Sequence, residues 1–378
     1  MAHCPFPRQA YYERIGAATT LLPLVTAHEA SEQSATPGAL GIDFVRSLML
    51  AHLSTIPFEN VDAVLGRPIS MALADILDKM IHAGRGGYCH EHNSLMRAAL
   101  VDAGFTHIRT LGARAAISDE QAPVGRVHVM NMITVPCMAT PGTTERWLVD
   151  VGTSAGVPMA PLQLEHTGSQ FTPAGEFRVT QYDLCTSADM MAAARPAGGH
   201  DEGWVEYALE MFSHSGVWRA VHRFDLQPQY PRDVFAINYI VYTISPLVHS
   251  LRGSRTVVQW AEPGEQKVAH DVGGAVCVPR GVYSLFAADN ARVSTRTLNA
   301  YPGMQDAAPA TGRLAPLEPT ESHPGTPGEL YDWMVEHLHI DFAQTRLPEY
   351  TVTRDQFIAA AHARLAVFGG AEWRAPVY

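Results

Sequence analysis

The chain has 378 residues, of which 47% are hydrophobic and 17% charged, and its formal net charge is -11. This composition is typical of a globular protein with a sizeable core, and it excludes a disordered, collagen-like or coiled-coil chain. Lys79 and Lys267 are the only lysines and no run of basic residues occurs. We therefore expect neither a nucleic acid nor an anionic membrane as a partner.

The cysteines and apolar runs bear on the compartment. The five cysteines are widely separated and form no CxxC pair, which argues against a disulfide framework and for a reducing compartment. The first residues do not resemble a signal peptide. A long uncharged stretch, residues 234–251, carries several polar residues and Pro246, so it predicts buried core rather than a membrane span. We expect a soluble, cytoplasmic protein and make no prediction of its oligomeric state.

Residues 8–104 have mainly helical periodicity. Phe44, Leu48 and His52 fall on one helical face, Ser70 is placed to cap a further helix, and residues 91–103 form an amphipathic helix that stops at a glycine.

From residue 109 the period changes to two. Residues 109–117, 126–135 and 146–151 are predicted strands, and residues 171–230 suggest more of them. Residues 301–328 are rich in Pro and Gly and predict an exposed loop.

Two helices are predicted to close the chain. Thr326 with Glu329 and Thr353 with Gln356 fit the capping box, in which each side chain satisfies the other residue's backbone N–H. Helices, then antiparallel strands, then a mixed segment together predict an α+β fold.

The segment RGGYCHEHN at residues 85–93 is the most informative. Gly86 and Gly87 permit a tight turn, and the predicted helix begins just after it. Cys89 is therefore expected at a helix N-terminus, where unsatisfied N–H groups favour a thiolate nucleophile. Free cysteines are also common as small core residues, so the position alone leaves both roles open.

A base for this thiol can be placed by strand pairing. If the strands at 126–135 and 146–151 form a hairpin with a loop at 136–142, His128 faces Asp150. Asp150 would then orient the imidazole, as in a nucleophilic triad. A polar pair on a solvated sheet face would have the same spacing, so that alternative stays open.

A zinc site is the main rival for this segment. Cys89, His90, Glu91 and His92 include several metal-ligand types, but consecutive helical residues point in different directions and only Cys89 and His92 share a face. No second CxxC or HExxH supplies further ligands, so we expect no metal.

Seven blocks in this order resemble the arylamine N-acetyltransferase family. They are YERI at 12–15, IPFENV at 56–61, LGRPI at 65–69, RGGYCHEHN at 85–93, AGF at 103–105, LVDVG at 148–152 and PL at 161–162. The resemblance implies a catalytic triad of Cys89, His128 and Asp150, the residues that spacing suggested. It also implies a helical bundle, an antiparallel β-barrel and an α/β lid around a papain-like core.

We expect these parts to span residues 1–104, 105–230 and 231–378. The resemblance implies ping-pong transfer of an acetyl group from acetyl-CoA, through an acetyl-cysteine, to the nitrogen of an arylamine or hydrazine. Acetyl-CoA would be a substrate, and no cofactor would be permanently bound.

Further expectations concern single residues. Arg85 and Glu59 are expected to form an ion pair beneath the site. Relatives commonly carry an aromatic residue at His90 and Phe at Thr153.

The coenzyme-binding segment also departs from the family pattern, because it has Ile244 and Val248 in place of hydroxyl residues. The region 255–325 is enlarged. An amide synthase of the same family with another acyl donor, a papain-like hydrolase or transglutaminase, and a non-catalytic ligand-binding relative therefore stay open as alternatives.

Overall fold

The computed structural model describes most of the chain. The described residues are 5–32, 40–115, 125–137, 139–152, 158–183, 205–213, 216–244, 251–261, 276–287, 291–297, 320–322, 326–340, 342–343, 345 and 347–364.

Helices build the N-terminal part, as predicted. They are α1 (Arg8–Arg14), α2 (Leu22–Glu32), α3 (Ile42–Thr55), α4 (Val61–Leu65), α5 (Leu73–Leu77) and α6 (Cys89–Asp102). α3 and α6 bury apolar side chains in a common core because their apolar residues recur at helical spacing. Members of that core include Leu48, Met49, Met96, Ala99, Leu100, Ile133 and Val149. The last two lie on strands of the sheet that follows α6, and they link this helical layer to that sheet.

An eight-stranded antiparallel sheet follows. Its strands are β2 (Ile108–Ala115), β3 (His128–Pro136), β4 (Thr144–Val149), β5 (Leu162–Gln163), β6 (Gln170–Thr172), β7 (Gly175–Asp183), β8 (Val205–Phe212) and β9 (Trp218–Pro228). The strand order is β5-β4-β3-β2-β9-β8-β7-β6. The two ends of this order meet, because the Gln170 side chain donates to Gln163 O at 2.9 Å and accepts from Gln163 N at 2.8 Å. The sheet is therefore a nearly closed barrel.

A second sheet connects the chain's N-terminal and C-terminal parts. β1 (Phe58–Glu59) pairs with β10 (Leu251–Ala261), which continues through β11 (Val276–Ala287), β12 (Ala291–Thr297) and β13 (Thr320–Ser322). The helix α7 (Pro231–Ile244) joins the barrel to this sheet, and α8 (Pro327–Leu338) and α9 (Arg354–Arg364) follow it. α8 and α9 pack around α4 through a separate apolar cluster. It includes Val61, Val64, Leu330, Met334, Leu338, Phe342 and Phe357.

The α+β architecture confirms the sequence prediction, and so do both C-terminal capping boxes. Ser70 is not the cap. It accepts the N–H of Ala72 at 3.1 Å, and Ala72 precedes the helix. The expected boundaries at 104 and 230 stay a prediction.

The stretch 234–251 was predicted to be buried core, which is wrong for one face of α7. Val241 is fully buried, but Phe235 and Tyr239 are 55% and 53% exposed. No helix in the described part of the chain combines the length and the apolar character needed to span a bilayer. Most of the predicted loop at 301–328 lies outside the described residues.

The apolar cluster around α8 can be tested with two substitutions on that helix. Leu330 is fully buried and Val335 is 36% exposed. Leu330→Ala should lower the free energy of unfolding by about 2–5 kcal/mol, because it removes buried methyl groups and leaves a cavity. Val335→Ala should change it by less than about 0.5 kcal/mol. Urea denaturation followed by circular dichroism measures both, and equal losses would contradict the assigned burial.

Candidate active site

A tight turn places Cys89 as the first residue of α6. Pro57 O accepts the N–H of Gly87 at 3.3 Å, and Gly87 O accepts the N–H of Glu59 at 2.7 Å. A Cβ atom on Gly86 would lie 2.1 Å from Pro57 O, so only glycine fits there. The sulfur therefore lies where the first free N–H groups and the helix dipole favour negative charge.

Buried, paired charged side chains pack beneath this turn and stabilise it. The Arg85 guanidinium is fully buried and donates to Glu59 Oε1 at 2.7 Å, which confirms the predicted ion pair. Lys79 Nζ lies 2.7 Å from Asp62 Oδ2 and 2.9 Å from Glu91 Oε1. Glu91 in turn accepts the N–H of Tyr88 at 3.0 Å. The residues on either side of the turn are thus connected to one ionic network.

His128 and Asp150 come together as predicted, but in a different register. His128 Nε2 lies 2.8 Å from Asp150 Oδ2, and both side chains are buried. β3 and β4 pair Val135 with Glu145 instead of Thr143, so the predicted register is wrong by two residues. A shift of two keeps every side chain on its face. Asp150 lies just beyond the end of β4 and reaches His128 diagonally.

Asn93 joins the helix to both strands. Its Nδ2 donates to Asp150 Oδ1 at 2.9 Å and to Val129 O at 2.7 Å. Its Oδ1 accepts the N–H of Val151 at 3.1 Å. One turn after Cys89, this side chain therefore fixes the carboxylate relative to the thiol. Asn93 was not among the predicted site residues, although its spacing of four residues from Cys89 indicates a shared helical face.

The charges at the site favour a thiolate. Burial raises the pKa of Cys89, but electrostatic interaction with His90 and hydrogen bonds with His128 and His90 outweigh it and lower that pKa to about 6. Burial lowers the pKa of His128, whereas the charge and hydrogen bond of Asp150 raise it to about 10, with help from Cys89. Between these values a thiolate faces an imidazolium.

A second barrel histidine covers the ring of His128. His222 on β9 stacks on it with ring centroids 4.3 Å apart and planes 3° apart. Burial and the charge of His128 lower the pKa of His222 to about 3, so its ring is neutral. Nothing in the sequence distinguished His222 from the other histidines.

His128, Asp150 and His222 offer nitrogen and oxygen atoms within 4.8 Å of one another. Stacked parallel rings direct their lone pairs side by side, which does not suit tetrahedral coordination. In the rival cluster, His92 Nε2 lies 3.1 Å from Pro57 O and its Nδ1 lies 2.8 Å from His52 Nε2. Both of its nitrogens therefore have partners other than Cys89.

The structure describes some of the positions at which the sequence differs from the family pattern. Thr153 and Val248 lie outside the described residues, and of Ile244 only the backbone is described, in α7. His90 is described, and it is fully buried beside Cys89.

The close packing of the turn can be tested at Gly86. Gly86→Ala should lower the free energy of unfolding by about 1–3 kcal/mol or more, because the backbone must move to make room for the methyl group. Gly41→Ala is the matched control, since its Cβ would meet no atom within 4 Å. Thermal unfolding of both variants measures the difference, and a neutral Gly86→Ala would contradict the described turn.

The ion pair can be tested through the pH dependence of alkylation. The thiolate forms above the pKa of Cys89, so its reaction with iodoacetamide should fall to half near pH 6 as the pH is lowered. Asp150→Asn removes the charge that raises the pKa of His128, so the midpoint should move upward. Mass spectrometry of the peptides follows Cys89, with the half-buried Cys137 as reference. A wild-type midpoint near 8.5, the value of an ordinary thiol, would contradict the pair.

Comparisons with known proteins agree on one family. A family model described as N-acetyltransferase matches residues 41–257, more than half of the chain. The arylamine N-acetyltransferase of Escherichia coli (strain K12) is 31% identical over 201 residues, which are 53% of this chain and 61% of that protein. The alignment thus spans less than two thirds of that relative's length.

Solved structures share the fold. The arylamine N-acetyltransferase of Salmonella typhimurium aligns with a TM-score of 0.64 at 22% identity, over 96% of this chain and 100% of that one. The enzyme of Mycobacterium marinum in complex with CoA aligns with a TM-score of 0.60 at 19% identity, over 94% of this chain and 99% of that one. Taken with the family model, these likenesses show that the chain belongs to the arylamine N-acetyltransferase family.

Proposed function

We propose that the protein transfers an acetyl group from acetyl-CoA to the nitrogen of an arylamine or hydrazine through an acetyl-Cys89 intermediate. The observation that carries this proposal is the chain of contacts from the Cys89 thiol through the His128 ring to the Asp150 carboxylate. It begins at a helix N-terminus and is buried throughout. In this proposal the three residues are the catalytic triad.

In the first half-reaction the Cys89 thiolate attacks the thioester carbon of acetyl-CoA. The carbon–sulfur bond to the coenzyme breaks, and the coenzyme thiolate leaves with the proton held by His128. Backbone N–H groups at the start of α6 are the candidates for stabilising the oxyanion. Because one thioester replaces another, the acetyl group stays activated.

In the second half-reaction the amine nitrogen attacks the acetyl carbon. The bond to Cys89 Sγ breaks, the amide leaves, and His128 accepts the proton that the nitrogen loses. Asp150 holds the ring in position and stabilises its charged form. Two half-reactions through one sulfur are a ping-pong mechanism.

The relatives support both substrates. The matched proteins are named arylamine N-acetyltransferases, and the Mycobacterium marinum structure contains CoA. The thiolate that the reaction needs is lost on oxidation, which agrees with action in a reducing cytoplasm. We propose no metal and no permanently bound cofactor.

Labelling without acceptor tests the intermediate. Wild-type protein mixed with acetyl-labelled CoA should carry the label on the peptide containing Cys89, and adding an arylamine should release it as the amide. Cys89→Ser should abolish the label, whereas Cys137→Ser should retain it. Asp150→Asn should slow labelling by at least about 100-fold, because a poorly oriented base loses most of its effect.

Three results would overturn this function. Amide formation by the Cys89→Ser variant would show that Cys89 is not the nucleophile. Release of free acetate at a rate independent of amine would favour a hydrolase. Labelling by other acyl-CoA donors but not by acetyl-CoA would favour an amide synthase.

A further inference from the structure

A second imidazole touches the nucleophile. His90 Nδ1 lies 3.1 Å from Cys89 Sγ, and the His90 side chain is fully buried. The contact joins adjacent residues at the start of α6. The sulfur therefore has imidazole nitrogens from two sources, His128 on the barrel and His90 on its own helix.

The other nitrogen of His90 indicates where its proton lies. His90 Nε2 is buried and has no hydrogen-bond partner among the described residues. A proton on Nε2 would leave a buried N–H without an acceptor, which costs about 1–3 kcal/mol. A proton on Nδ1 instead points to the sulfur, where a thiolate accepts it. The geometry thus favours a proton on Nδ1 that is donated to Cys89.

Other charged and titratable groups also face Cys89. His128 carries Asp150 behind it and His222 on its face. Tyr88 precedes the sulfur and interacts with it electrostatically. Arg252 on β10 is attracted to the same sulfur. Of these groups, Tyr88 also packs against the His90 ring, so the variants at residue 90 must distinguish loss of the donor from loss of this packing.

We propose that His90 is a further catalytic residue, whose Nδ1–H donates a hydrogen bond to the Cys89 thiolate. This proposal rests on the proposed function, since it assigns His90 a role only if Cys89 is the nucleophile. His128 exchanges the proton during transfer, whereas His90 keeps its own proton and stabilises the sulfur anion. The two imidazoles thus have different tasks.

The effect matters most when the acetyl group leaves the sulfur. The amine nitrogen forms a bond to the acetyl carbon, the carbon–sulfur bond breaks, and the electron pair returns to Sγ. His128 takes the proton from nitrogen, and His90 Nδ1–H receives the returning anion. A thiolate stabilised in this way is a better leaving group, because leaving ability rises as the thiol pKa falls.

Two variants separate hydrogen bonding from packing. The His90 ring also packs against Tyr88 with centroids 5.2 Å apart, so a purely structural role is the rival. His90→Phe keeps the aromatic ring and removes the donor. His90→Asn places an amide nitrogen near the position of Nδ1 and removes the ring.

Alkylation of Cys89 by iodoacetamide across pH is the test. His90→Phe should raise the midpoint by about one unit, equivalent to a tenfold loss of thiolate at low pH. His90→Asn should stay within about 0.3 unit of wild type, since it retains the donor. Cys137 in the same samples should not change. In transfer assays, His90→Phe should slow release of acetyl-Cys89 to the amine about tenfold.

A midpoint for His90→Phe equal to wild type would overturn the proposal. So would a shift in His90→Asn as large as in His90→Phe, since this would indicate packing alone. Nitrogen NMR of histidine-labelled wild-type protein gives a readout without substitution. It should show a proton on His90 Nδ1 whose signal changes when Cys89 is alkylated, and a His90 without a proton on Nδ1 would contradict the role. Transfer by Cys89→Ser would instead refute the proposed function itself.

Discussion

The rest of the site depends on the contacts of one buried group, the Arg85 guanidinium. It is fully buried, pairs with Glu59 and reaches Asp62 at 3.3 Å. It also donates to Tyr350 O at 2.8 Å and lies over the Phe342 ring at 4.9 Å. A buried cation without partners is too costly to keep, so these contacts must form together. The turn before α6, the strand β1 and the segment between α8 and α9 are therefore held in one geometry.

That constraint fixes the position of the helix start that carries Cys89. With the turn fixed from below, Asn93 fixes the strands from the side, since it donates to Asp150 and accepts from the backbone of Val151. The end of β4 approaches so closely that a Cβ on Gly152 would lie 2.8 Å from the Cys89 backbone. Thiol, ring and carboxylate thus come from three elements but share one rigid frame, which keeps the positions needed for proton transfer.

The sequence was informative where chemistry depends on local pattern. Turn glycines and helical periodicity placed Cys89 at a helix start, and alternation placed His128 and Asp150 on one face. The predicted register of β3 and β4 was wrong by two residues. Alternation decides which face a side chain lies on, but registers that differ by two residues give the same faces, and the length of the loop did not distinguish them. His222 and the exposed face of α7 could not be predicted, since both depend on which distant element packs there.

Charge repulsion explains why the His222 ring is neutral beside the charged His128 ring. His128 is held protonated by Asp150 and the thiolate, so a second positive charge stacked on it would meet repulsion in a site with little water to screen it. Burial and the charge of His128 lower the pKa of His222, whereas Asp150 and Cys89 raise the pKa of His128 against the effect of burial. The neutral ring covers one face of the His128 ring without adding a second positive charge. In the proposed reaction, the burial of Cys89, which is only 5% exposed, would shield its acyl group from hydrolysis until an amine enters.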